Sequence, residues 1–179
     1  MERHLARLHR EIEAAVAGLS AEQLAWHPDG KWCAAEILEH LYLTYTGTAK
    51  GFGRVTEAGK SLARRATWKD RSRALVVVGF GYMPRGREAP PLSRPRGLPA
   101  DKVLAEIGVK LTEMNDAMEQ CALKLGATVK VLDHPVLGPL SVTQWGKFHL
   151  VHGLHHVKQI RRLRENLTEM KNAGALPRR

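Results

Sequence analysis

Long apolar runs are missing from this chain. Nowhere do 18 apolar residues follow one another, which excludes a membrane-crossing helix. Cysteine is scarce as well: Cys33 and Cys121 are the only two. That is too few for a disulfide framework, so a reducing cytoplasm is the expected setting. Acidic residues are outnumbered, 18 Asp and Glu against 28 Lys and Arg, for a formal net charge of +10. No acidic cluster and no phosphate-cradling loop appears, which argues against nucleotide chemistry. The basic residues are spread along the chain, densest from Arg64 to Arg73 and from Lys158 to Arg164. No nucleic-acid motif accompanies them, so they read as solvated helix faces and loops, and specific nucleic-acid binding is not expected.

What is present is helical periodicity. Leu5, Leu8, Ile12 and Val16 recur at spacings of three and four, an amphipathic helix over 2–17. The charged opening MERHLARLHREIEAAV therefore reads as a helix and not as a secretory signal. Ser20 and Gln23 form a capping box for a short helical turn that His27-Pro28-Asp29-Gly30 breaks. A long helix is expected from near Trp32 to about Gly47, or on to Ala58, and a helical segment over 67–83. Residues 84–99 hold five prolines with Gly86 and Gly97, so they must be a connection, one long enough to fold over the mouth of a site. A further helix carries Val103, Ile107, Leu111, Met114 and Met118 on one face up to Leu125. The His134-Pro135 and Gly138-Pro139 pairs read as a turn, and Ser141 or Thr143 as the cap of a last helix running to about Lys171. Four main helices in one domain over 1–179, with a frayed tail from 172, bury their apolar stripes best as an all-α four-helix bundle.

The chemistry concentrates in that last helix. Between Gln144 and Leu163 lie four of the nine histidines. At about 100° per residue, His149, His152 and His156 fall within roughly 60° of one another, while His155 points elsewhere. His152 and His156 are one turn apart, the spacing that lets two imidazoles reach one metal ion. The missing third ligand is His40, in the run WCAAEILEHLYL, with Glu36 one turn before it. Three imidazoles suit zinc or nickel, with iron also accommodated, and leave positions open for water or a thiolate. Glu36 or His149 would then orient a ligand or act as general base. Each residue also has a plainer reading. His149 fits a core or pocket-lining histidine, Cys33 a small buried hydrophobe, and Trp32 and Trp145 core anchors. His4, His9, His27 and His134 fit helix surfaces or turns with no special role.

The segments WCAAEILEHL and FHLVHGLHHVKQIRRL resemble the DinB-like superfamily, also called DinB/YfiT-like. The matches are His40 within E-H-L, and His152, His155, His156 and Gln159 within HGLHHVKQ, approached through HPVLGPLSVTQW. The resemblance implies that His40, His152 and His156 are the metal ligands and that His155 is not. It also implies a four-helix bundle with one long crossover connection and extra short helical segments. A divalent metal, usually nickel or zinc, and often a homodimer belong to the same expectation. Relatives of that kind include transferases that use a low-molecular-weight thiol, and hydrolases. A small-molecule substrate is expected with either; a basic helical binding module without catalysis is the remaining alternative.

Overall fold

In the computed structural model, residues 2–28, 30–84, 86 and 88–173 are described. The expected frayed tail falls, from 174 onward, outside the described residues. Four long helices carry the architecture: α1 (Glu2–Val16), α3 (Ala34–Ala58), α5 (Ala100–Leu125) and α6 (Val142–Asn172). Two short ones, α2 (Ala21–Ala25) and α4 (Trp68–Ala74), sit in the connections. The fold is all-α apart from a two-stranded antiparallel hairpin, β1 (Lys130–His134) with β2 (Gly138–Ser141). That hairpin occupies the stretch the sequence reads only as a turn. None of the described helices is long and apolar enough to cross a membrane.

Sequence punctuation sets the ends of each helix. Ser20, Thr67 and Ser141 each accept a hydrogen bond from the backbone N–H three residues on, and the side chain there answers to the cap's own N–H. Cys33 does the same for α3, with Glu36 as its partner. The helix therefore begins just after Trp32 and runs the full length to Ala58, where Gly59 closes it in a left-handed conformation. The segment after α4 remains helical but widens into a π turn, Leu75–Gly79.

The core follows the periodic stripes. Leu5, Leu8 and Ile12 from α1 and all five expected residues of α5 are buried. The flank Lys158, Arg161, Arg162 and Arg164 is exposed. α3 packs along α5 and α1 along α6. The α1–α6 contact is close: a Cβ on Gly153 would stand 2.5 Å from Leu8 Cδ1. Between α3 and α5 runs the long connection that holds α4, the π turn and the proline-rich segment. Asp70 ties that connection to the hairpin. Its carboxylate accepts from Arg64 at 2.7 and 3.0 Å and from the Thr67 backbone and hydroxyl. Those bonds, Arg64 foremost, hold its pKa well below the usual carboxylate range. It occupies the space where a Cβ on Gly138 would lie, a residue that also needs its positive φ of 73°.

Candidate metal centre

α3 delivers His40 and α6 delivers His152 and His156 one turn apart to the same point. The three Nε2 atoms meet: His40 to His152 at 3.1 Å and His156 to His152 at 3.1 Å. What surrounds the other ring nitrogens decides how to read these contacts. His40 Nδ1 lies 2.7 Å from the Ser93 carbonyl oxygen, which can only accept, so Nδ1 carries the proton and Nε2 is bare. His156 Nδ1 donates to Gln159 Oε1 at 2.7 Å, and the Gln159 amide in turn donates to His155 Nε2 at 3.2 Å. His156 Nε2 is therefore bare as well. His152 has one Nε2 proton at most and cannot satisfy both neighbours. At least one of the two 3.1 Å contacts is left without a proton of its own between its nitrogens, which is unfavourable unless a cation lies between them. The donor set fits a divalent ion on that ground.

Electrostatics agree. Burial lowers the pKa of His40, and it lowers His156 to about 3, helped by His40 and opposed by the Gln159 bond. His152 lies well below its ordinary value, through burial first and then its two partners. Neutral imidazole is the ligating form. His152 Nδ1 is buried with no hydrogen-bond partner among the described residues.

The triad opens onto a cavity of about 1430 Å³. Its walls come from α3, the hairpin, the π turn and the proline-rich segment, which here does border the site. Two adjacent residues hold that segment in place. His40 bonds Ser93, and the Glu39 carboxylate, 1% exposed, accepts the backbone N–H groups of Arg96, Gly97 and Leu98 at 2.7–3.1 Å. Glu39 was not singled out as a functional residue in the sequence. The available signal was an acid inside the otherwise apolar run Ile37-Leu38-Glu39, directly before His40.

The remaining candidates separate. Glu36 lines the cavity, with Oε2 held by the Cys33 N–H at 2.8 Å. Cys33 is a free thiol, buried as expected, and burial raises its pKa. Trp32 tilts over His40, ring centroids 5.3 Å apart. Trp145 is a core residue as expected, its indole N–H donating to Leu132 O. His149 is fully buried and is not among the residues lining the cavity. It stacks on Trp145 at 5.6 Å, and both its ring nitrogens lack partners among the described residues. His155 is half-buried and takes part in the Gln159 chain. One expectation needs correcting: His134 is not an idle turn residue. The hairpin folds it inward against Phe148 and into the cavity wall, because β1 carries it to the last rung before the turn.

Two of the comparisons with known proteins are negative: no curated protein and no solved structure matches the chain. The family comparison is positive over residues 4–160, a span that includes every residue of the triad and of its supporting bonds. The chain belongs to the DinB superfamily.

Proposed function

We propose that this protein is a divalent-metal-dependent enzyme acting on a small molecule bound in the cavity, and that its reaction is transfer of a low-molecular-weight thiol. The observation that carries the metal reading is the convergence of three Nε2 atoms, two of them bare because their Nδ1 protons are already committed. Neutral nitrogen donors favour nickel, zinc or iron over the oxygen-seeking cations. A divalent ion bound there would lower the pKa of a coordinated thiol or water.

The chain's own residues supply the rest. His40, His152 and His156 hold the ion; Ser93 and Gln159 fix two of the rings in tautomer and orientation. Glu36 lines the cavity with one oxygen occupied by the Cys33 N–H, and would take the thiol proton through the other. The apolar walls formed by Val77, Pro90, Leu137 and Phe148 restrict water. Both cysteines are free and buried, which supports a reducing compartment.

Elemental analysis of untagged protein tests the metal. About one nickel, zinc or iron per chain, lost in His156→Ala, is expected; no metal in the parent, and unchanged melting on adding nickel or zinc, would sink the reading. Thiol consumption with an electrophile then tests the reaction. Turnover that needs the metal but no thiol would replace transfer by hydrolysis, with Glu36 activating water.

A further inference from the structure

His134 sits at the end of β1 with its ring turned inward. Its Nδ1 lies 3.1 Å from the backbone N–H of Val136 and 3.1 Å from that of Leu137. Both groups are donors, so Nδ1 must be the acceptor, and the ring proton is placed on Nε2. That N–H has no hydrogen-bond partner among the described residues, yet it is not one of their sealed-off polar atoms. His134 helps to line the cavity. The triad is close by: the Phe148 ring touches His134 at 4.3 Å between centroids and stacks on His152 at 5.1 Å. Arg73 bonds the Val136 carbonyl and brings a cation to the same wall; Asp133 also lines the cavity, with Oδ2 3.7 Å from Arg64 Nε.

We propose that His134 is a ligand-binding residue: its Nε2–H donates a hydrogen bond to a carboxylate oxygen of the molecule held at the triad. The substrate class is then a small carboxylate compound that spans the distance from the three histidines to the hairpin. This rests on the metal reading above. Protonation cannot convert His134 into a cation without breaking the two turn bonds, and burial depresses its pKa to about 4. It is a neutral donor throughout the physiological range, and Arg73 adds the charge that prefers an anion.

The test compares two probes on cobalt-loaded protein by thiolate-to-cobalt absorption. They are 3-mercaptopropionate and 1-propanethiol, alike except for the carboxylate. The parent should bind the first about tenfold more tightly or better, the scale of one hydrogen bond to a charged acceptor. His134→Asn keeps an acceptor for the Val136 and Leu137 N–H groups in its Oδ1 but has no donor where Nε2 lies. It should bring the preference close to unity by weakening 3-mercaptopropionate more than propanethiol, and His134→Gln, which restores an N–H near that position, should recover part of it. An undiminished preference in the Asn variant would overturn the proposal. Nitrogen-detected NMR of the imidazoles separates this outcome from failure of the metal reading. In metal-free protein His134 should show a protonated Nε2, and in cobalt-loaded protein that resonance should shift on adding 3-mercaptopropionate. A protonated Nδ1, or no shift with probe bound to cobalt-loaded protein, refutes the role of His134 alone. Absence of cobalt binding refutes the triad.

Discussion

His149 and His152 stand on the same face of α6, three residues apart, one 0% and the other 9% exposed, yet they live in different chemistry. His149 is surrounded by rings: Trp145 stacked on it, Tyr45 and Phe148 edge-on. None of its nitrogens has a partner among the described residues, and neither does the Tyr45 hydroxyl. His152 shares its Nε2 with His40 and His156, whose far nitrogens are anchored by Ser93 and Gln159. Titration does not distinguish the two surroundings, since burial depresses His149 and His156 alike to about 3. Hydrogen bonding does. What sets His152 apart is that two other imidazoles, each fixed at its far nitrogen, bring bare Nε2 atoms to its own. His152, with an unpartnered Nδ1, is the member held most by its neighbours and least by the protein.

The largest effect should come from breaking the triad itself. His156→Ala removes a ligand, and metal affinity should fall by more than the ~100-fold that outer-shell changes cost, read by competition with a chelator. A variant that keeps its metal would place the ion elsewhere. Gln159→Leu leaves all three ligands and removes the acceptor for His156 Nδ1–H, together with the donor to His155. A loss of roughly 10–100-fold in metal affinity is expected, with the fold intact by circular dichroism. Glu39→Gln acts one layer further out. It halves the acceptors for three backbone N–H groups and removes the charge, for about 1.5–3 kcal/mol of stability. Thermal unfolding would register this, and tryptic cleavage after Arg96 should accelerate as the proline-rich segment loosens. An unchanged cleavage rate would mean that the Ser93–His40 bond holds the segment unaided.

Much of the bundle was legible because burial repeats with the helical period. Leu5, Leu8 and Ile12, or Val103 to Met118, need no partner's identity to announce a buried stripe. The triad was legible for half the same reason: the four-residue step from His152 to His156 is local geometry. That His40 meets them is a long-range fact, expected from a histidine beside Glu36 in a largely apolar helix and implied again by the resemblance. The hairpin was hidden because its strands are four and five residues long and carry two prolines around the turn, which punctuate more loudly than the short apolar pattern speaks. Hiding the hairpin also hid His134, whose inward turn depends on pairing with Gly138. Glu39 was obscured for another reason: its three partners are backbone N–H groups of a loop, and backbone donors leave no mark in a sequence.

The smallest effect tests the other side of the comparison. His149→Leu replaces a buried ring with two unsatisfied nitrogens by an apolar side chain of similar bulk. Metal content should be unchanged, and stability should rise by about 1 kcal/mol as the desolvation cost disappears. Acid sharpens the test. In the fold His149 stays neutral down to about pH 3, mainly through burial, whereas in the unfolded chain it titrates near 6.5. Between those values the unfolded state binds the extra proton, so stability rises with pH across the window and is lost on acidification. Leucine at this position removes one proton from that balance. Measured on metal-free protein between pH 6 and 4, the variant's stability should fall less steeply than the parent's, by about 1.4 kcal/mol per pH unit. Parallel curves would mean that His149 takes up its proton in the folded state. The ring would then have a partner after all, and the contrast with His152 would dissolve.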